Sequence, residues 1–185
     1  DGCLLAPGGG AGDTTASPTL NITYYDTRIP WQVDLNQKVD ASASIRISHF
    51  YDGLGRKLQT QQVGKVVNGS QANVVVDTQY DVMGREVKTT VPYSISYTAS
   101  PTFNTQTFSQ SYTEYEYDNF GRLESTEAPN GNTVTQAYGD NYVTVTDAKS
   151  VSTTSYSDTW GRTTMVDAAT GPDMYYTYDT VDRLV

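Results

Sequence analysis

Phe50-Tyr51-Asp52-Gly53-Leu54-Gly55-Arg56-Lys57 is the stretch from which the fold can be read, because its central phrase returns four more times. The returns are Tyr80-Asp81-Val82-Met83-Gly84-Arg85, Tyr117-Asp118-Asn119-Phe120-Gly121-Arg122, Ser157-Asp158-Thr159-Trp160-Gly161-Arg162 and Tyr178-Asp179-Thr180-Val181-Asp182-Arg183. Aspartate and arginine are present in every copy, and such self-similarity organises a chain before any other feature does. Successive arginines stand 29, 37, 40 and 21 residues apart. That spacing is too irregular for a rigid solenoid and natural for hairpins with arms of unequal length.

The phrase has a direct conformational meaning. Asp at the first position of a type I turn accepts hydrogen bonds from backbone amides ahead of it, and Gly at the fourth adopts positive φ and forms a bulge. The result is a three-residue hairpin loop. The fifth copy places Asp182 in the glycine slot, which is tolerable because Asp enters the left-handed region more readily than most residues. Tyr closes one strand and Arg opens the next. The pair is expected either to stack ring on guanidinium or to leave the arginine beside the turn aspartate in a charge-assisted hydrogen bond.

Working outward, further turn signals divide the chain: Asn68-Gly69, Pro129-Asn130-Gly131-Asn132, Gly139-Asp140-Asn141, Asp147-Ala148-Lys149-Ser150 and Thr170-Gly171-Pro172. Each separates runs with strand chemistry. In Tyr142–Thr146 and Tyr112–Tyr117 the period-two alternation is expected to place rings on one face and polar groups on the other. The fold class that follows is all-β: consecutive antiparallel β-hairpins forming a twisted ribbon, with arms of about seven residues, roughly 20–25 Å at the usual strand rise. The segment 94–110, rich in Ser, Thr and Gln around Tyr97, Phe103 and Phe108, is expected to be a surface excursion between two hairpins.

Three stretches are distinguished: an irregular lead-in over 1–19, lead-in strands over 20–43, and the repeat region over 44–185. Gly, Ala, Pro, Ser and Thr dominate the first, a composition that buries too little apolar surface to offset ordering entropy. The chain stops at Arg183-Leu184-Val185, just after a turn phrase, so the repeat region is expected to be incomplete there and the chain a fragment.

Composition narrows the functional classes. Across 185 residues, 15 tyrosines accompany a hydrophobic fraction of only 37%, so much of the packing surface is aromatic ring with a polar hydroxyl. A net charge of −9 argues against nucleic acid or anionic membranes, both of which need a basic partner. No apolar run approaches the roughly 20 residues of a membrane-spanning helix, so membrane insertion is not expected. The single cysteine, Cys3, excludes an internal disulfide and a multi-cysteine metal site.

The five Tyr-Asp-x-x-Gly-Arg copies resemble the YD repeats of the Rhs family over residues 44–185. The succession from Phe50 to Gln62, then Tyr80 to Tyr93, then Tyr115 to Asn132 is similar to the Rhs region of insecticidal Tc toxin B components and of FG-GAP/Rhs proteins of the virulence-plasmid type. The stretch Tyr24-Tyr25-Asp26 to Trp31 looks like the lead-in found there. The resemblance implies a segment of a β-hairpin shell that encloses a toxin or effector polypeptide, and a secreted or cell-surface location. The family's self-cleaving shell-closing site, variable C-terminal toxin and upstream propeller have no counterpart in these residues. Relatives of the repeat serve adhesion, so an extracellular carbohydrate-binding or self-assembling module is the alternative.

Little chemistry is left over, and a non-enzymatic role without cofactor or metal is expected. His49, the only histidine, occupies a slot filled by Thr78, Tyr115, Ser155 and Tyr176 in the other copies, which reads as structural. Glu114, Glu116 and Asp118 share a strand face and read as a solvated acidic stripe before they read as paired carboxylates or a cation site. Gly8-Gly9-Gly10 lacks the Lys-Ser/Thr of a phosphate loop. The functional residues expected are therefore the structural turns themselves: Tyr51, Asp52, Gly55, Arg56, Tyr80, Asp81, Gly84, Arg85, Tyr117, Asp118, Gly121, Arg122, Asp158, Trp160, Gly161, Arg162, Tyr178, Asp179, Asp182 and Arg183. Leu54, Met83, Phe120, Trp160 and Val181 mark an apolar tip site, expected to pack against the adjacent hairpin, with a row of exposed rings for sugar stacking as the other possibility. Expected partners are the neighbouring repeats, an enclosed polypeptide, glycans, and further copies through exposed strand edges.

Overall fold

The computed structural model describes residues 19–27, 29–39, 44–67 and 69–185, and these form fourteen β-strands and no helix. The expected lead-in up to residue 18, with Cys3 and Gly8-Gly9-Gly10, lies outside the described residues. All strand pairs are antiparallel, as short turns between successive strands require. Two compact units are present, one ending at Tyr112 and one starting at Thr113.

The first unit contains β1 (Leu20–Tyr25), β2 (Trp31–Lys38), β3 (Ser44–Tyr51), β4 (Lys57–Val67), β5 (Ser70–Tyr80), β6 (Glu86–Thr90) and β7 (Tyr93–Ser96). Each of β1 to β5 pairs with the next, and β6 and β7 share one edge of β5. Thr78 faces Thr89 and Val75 faces Tyr93, so two β5 residues oppose Thr90, Val91 and Pro92. Proline has no amide to offer the ladder. The Val91 amide turns outward to the Ser111 carbonyl at 2.8 Å, and the Thr90 hydroxyl receives the Asp77 amide at 2.9 Å. Pro92 therefore splits one long strand into β6 and β7 without leaving these two amides unpaired.

Register places Asp34, Ser48, Gln61 and Val75 in one cross-strand row and Gln32, Phe50, Gln59 and Asp77 in the next, on the same face. All eight are buried, although only Phe50 and Val75 are apolar. What covers them is the segment after β7, and here the expectation of a surface excursion is corrected. The segment runs over the sheet face as a strap, with Pro101 buried and the Phe103 ring 5.9 Å from that of Phe50. An extended strap without a strand partner would leave its peptide groups unpaired. Carboxamides answer them: Gln61 Nε2 donates to the Thr102 carbonyl at 2.9 Å, Gln59 Nε2 to that of Asn104 at 3.1 Å, and Asn73 Nδ2 to that of Thr98 at 3.2 Å. Arg46 bridges Asp34 and the Ala99 carbonyl. The other face, with Val33, Leu35, Ile47, Val74 and Val76, is half-buried.

The second unit is a meander of β8 (Tyr112–Tyr117), β9 (Leu123–Glu127), β10 (Thr133–Tyr138), β11 (Tyr142–Thr146), β12 (Ser152–Ser157), β13 (Thr163–Ala168) and β14 (Met174–Tyr175), each paired with its successor. Within β8 the alternation puts Tyr115 and Tyr117 on one side and Tyr112 on the other. From Thr113 onward no residue is fully buried. Cohesion comes instead from the ladder and from cross-strand pairs: the Thr144 and Thr154 hydroxyls lie 2.9 Å apart, those of Thr146 and Ser152 also 2.9 Å, and the Tyr142 and Tyr156 rings 5.7 Å. A sheet of this kind retains half-open faces, and a β-sheet ordinarily covers such a face with a second layer.

Candidate functional site

Each Asp-x-x-Gly-Arg phrase closes on itself through the same set of bonds. In all five, the aspartate amide donates to the arginine carbonyl at 2.9 Å. The fourth residue's amide returns to the aspartate carbonyl at 2.9–3.2 Å. That residue has positive φ: 79° at Gly55, 85° at Gly84, 83° at Gly121, 80° at Gly161 and 64° at Asp182. One carboxylate oxygen accepts two amides, at 2.9 Å from Leu54 and Arg56 in the first copy. The other accepts the arginine Nε at 2.7 Å in every copy. The loop is a type I turn with a bulge at the glycine.

These bonds set the carboxylates' acidity. Desolvation pushes Asp52, Asp118 and Asp158 upward, but amide and guanidinium donors outweigh it and hold them below the ordinary carboxylate value. At Asp81 and Asp179 the arginine amide bond is the largest influence, and both are again lowered.

The same loop closes without arginine at two other turns. Ala128 and Asn132 bracket Gly131 (φ 79°), and Asp147 and Val151 bracket Ser150 (φ 63°). Asp147 Oδ1 accepts the Lys149 and Val151 amides at 2.8 and 2.9 Å.

A second bulge follows each of the first four phrases. Tyr51 faces Lys57 while Phe50 faces Gln59, and the same one-residue slip occurs at Tyr80, Tyr117 and Ser157. The residue two places after the arginine, Leu58, Val87, Glu124 or Thr164, is the one left over. No residue type recurs at that place, so nothing in the phrase announces it.

Tyrosine and arginine do not stack within a phrase. The Arg56 guanidinium lies 5.0 Å from the Tyr80 ring, Arg122 lies 4.2 Å from Tyr138, and Arg162 lies 4.7 Å from Tyr178. In each case the tyrosine belongs to the following hairpin. Its hydroxyl donates to the carbonyl one residue past the arginine: Tyr80 to Lys57 at 3.2 Å, Tyr138 to Leu123 at 2.8 Å and Tyr178 to Thr163 at 2.8 Å. Arg56 Nη1 reaches the Asp81 carbonyl at 3.4 Å, and Arg162 Nη1 reaches Asp182 Oδ1 at 2.5 Å. The arginine thus serves two turns, pinned by its own aspartate and gripping the next hairpin. Tyr138 precedes Gly139-Asp140-Asn141, so this grip also holds where the phrase itself is absent.

The turn tips correct a further expectation. Leu54 is 79% exposed, Met83 76%, Phe120 85%, Trp160 79% and Val181 65%. They project into solvent and do not pack against the neighbouring hairpin, because a three-residue loop points its central residue away from both strands. Phe120 and Trp160 lie 5.2 and 5.0 Å from the guanidinium of their own arginine.

The remaining candidates do not converge. The His49 ring contacts the Thr60 hydroxyl at 3.1 Å and lies edge-on to Tyr51 at 6.2 Å. Burial, with Lys57 nearby, lowers its pKa, so it is neutral at pH 7. Asp118 is engaged in its turn, and Glu114 faces Glu127 across the ladder. Among the described residues, no cluster of His, Cys, Asp and Glu is arranged to hold a metal.

Residues 25–127 match the model of a family described as Domain of unknown function (DUF6443). No curated protein matches the chain. The crystal structure of TcdB2-TccC3-Cdc42 is similar, with a TM-score of 0.65 over 85% of this chain at 18% identity. That of TcdB2-TccC3-TEV has a TM-score of 0.64 over 97% at 17% identity. The chain spans 10% of the length of each. The likeness is one of fold: the antiparallel β-structure matches that of a part of each of these two structures.

Proposed function

Given that the chain belongs to the DUF6443 family, we propose that it is a non-catalytic structural segment of an Rhs/YD-repeat protein, part of a β-hairpin shell that encloses a toxin or effector polypeptide. The observation that carries this reading is the linkage of successive hairpins within each unit, in which Arg56, Arg122 and Arg162 each lock their own turn and grip a tyrosine of the next. Such a rim repeats without limit and assigns its charged and aromatic groups to construction. The half-open faces of the second unit suit a wall whose inner side meets an enclosed chain. The parent of such a segment is secreted or surface-exposed.

The test is protease protection in the complete parent protein. On this reading the polypeptide downstream of the repeats resists digestion in the intact parent and is degraded rapidly when expressed alone. Equal digestion rates in the two settings would sink the enclosure reading.

A further inference from the structure

Along one rim of the second unit, the turns at 118–122, 139–141, 158–162 and 179–183 follow one another. Phe120 and Trp160 stand out from it. Exposed rings on flexible side chains would be unremarkable, but these two are held. Each lies against an arginine fixed by an aspartate at 2.7 Å and backed by a tyrosine of the next hairpin. Both present a ring to solvent in a set position.

Between them the short turn at 139–141 leaves a groove of about 720 Å³, lined by Arg122, Tyr138, Asp140, Asn141, Tyr142 and Asp158 among others. The exposed Asp140 and Asn141 side chains make no hydrogen bond within the described residues. Tyr142 is 41% exposed and its ring lies over Gly139, where a Cβ would come within 2.2 Å of it. Glycine at 139 is therefore what allows that ring to form the groove floor. Two further depressions, of 320 and 510 Å³, flank the groove beside Phe120 and Trp160.

We propose that this rim is a binding site for a neutral, β-linked oligosaccharide. Flat rings accept the apolar faces of pyranoses, while unpartnered carboxylate and carboxamide groups between them accept and donate to sugar hydroxyls. Phe120 and Trp160 tip hairpins centred four strands apart, about 19 Å at the usual inter-strand spacing, a span for several sugar residues and not for one. Along the rim Asp118, Asp140, Asp158, Asp179 and Asp182 outnumber Arg122, Arg162 and Arg183, and Asp140 lies in the groove without an ion pair among the described residues. In a chain of net charge −9 this disfavours uronic acids, sulfated sugars and nucleic acid. The site is independent of whether the chain walls a shell.

Calorimetric titration of the 185-residue chain with chitohexaose and cellohexaose tests this. Saturable binding of at least one hexasaccharide is expected, with the corresponding disaccharide weaker because it reaches one platform only. Trp160→Ala and Phe120→Ala each weaken binding by about threefold to tenfold, the range for loss of one aromatic contact. Leu54→Ala, the same tip position in the first unit, leaves it unchanged. Since these tips are solvent-exposed, circular dichroism melts should be unaltered and will separate loss of binding from loss of fold. Absence of saturable heat with both hexasaccharides, or affinity unchanged in Trp160→Ala, overturns the proposal.

Discussion

Replacing Gln59 by leucine keeps approximate side-chain volume and removes the centre of the polar layer beneath the strap. Gln59 donates to Asp77 Oδ1 at 2.6 Å and to the Asn104 carbonyl at 3.1 Å, and accepts from Gln61 Nε2 at 2.7 Å and the Asn104 amide at 3.1 Å. All its hydrogen-bonding capacity is used. Gln61 keeps Thr102 and Asp77 keeps the Tyr93 hydroxyl at 2.7 Å, so the two peptide groups of Asn104 lose most. A buried polar group left without a partner costs roughly 1–3 kcal/mol. Asn104 is exposed and its two bonds to Gln59 are only part-buried, so water replaces some of what is lost. With the two weakened partners the sum is about 2 kcal/mol, still a sizeable part of the 5–15 kcal/mol typical of a domain. Urea unfolding followed by the emission of Trp31, at the start of β2, in a Trp160→Phe background measures the loss, and hydrogen exchange at Asn104 locates it. Gln59→Glu separates chemistry from packing. The introduced carboxylate beside Asp77 holds its proton to higher pH than a free glutamate. Its deficit is therefore smallest below about 4.3, where folded and unfolded states are both protonated, and grows as pH rises from there through the raised value. A Gln59→Leu loss under about 1 kcal/mol with unchanged exchange at Asn104, or a Gln59→Glu deficit independent of pH, would refute the account of the strap.

Other outcomes are specific to the rim and the edges. Tyr138→Phe removes the bond to the Leu123 carbonyl and should lower stability by about 1 kcal/mol; in a double-mutant cycle with Arg122→Ala the two losses should fail to add, and strict additivity would deny the coupling. The five clasp aspartates are lowered on folding, so their stabilisation is intact above the ordinary value of 3.8 and is lost as pH falls through the lowered values. Acid titration of the circular dichroism signal should accordingly show structure lost below about pH 4, and a transition near pH 6 would contradict this. Among the described residues β1 pairs only with β2, and an open edge invites pairing. The Thr19 carbonyl accepts the Lys38 amide, so by alternation the amides of Asn21, Thr23 and Tyr25 face β2 and those of Leu20, Ile22 and Tyr24 face outward. Light scattering should detect oligomers of the isolated chain that Tyr24→Pro reduces, whereas a clean monomer at high concentration would count against edge association.

What was legible in the sequence follows the range of the interactions. Asp52 and Gly55 act within five residues, so turn geometry alone assigns their bonds, and with the turns come antiparallel strands and the all-β class. The Arg56–Tyr80 contact joins residues 24 apart, and from the phrase alone Tyr51 looks the nearer ring. Direction along the rim, which decides the matter, depends on sheet twist and register. The strap was illegible for a different reason. Alternation separates Asn73 and Asp77 from Val74 and Val76, but the ordinary rule that apolar sides go inward assigns them to the wrong environments. Only the chain laid over Gln59 and Gln61 makes carboxamides the better buried groups there. The tips failed because an apolar residue in a turn is usually assigned to packing, while a three-residue loop offers it no neighbour.

The meander and the strap differ in how far along the chain they must reach. Hairpin neighbours meet as soon as both arms exist, and such closures take microseconds. The strap bonds of Gln61 and Arg46 bridge 41 and 53 residues, and loop closure over such distances is slower and entropically dearer. A nascent chain leaving the ribosome can therefore zip hairpin onto hairpin in order of synthesis, with Tyr80, Tyr138 and Tyr178 each finding an arginine already in place. The first unit alone waits, its polar face wet, until residue 104 has emerged to lie down on it.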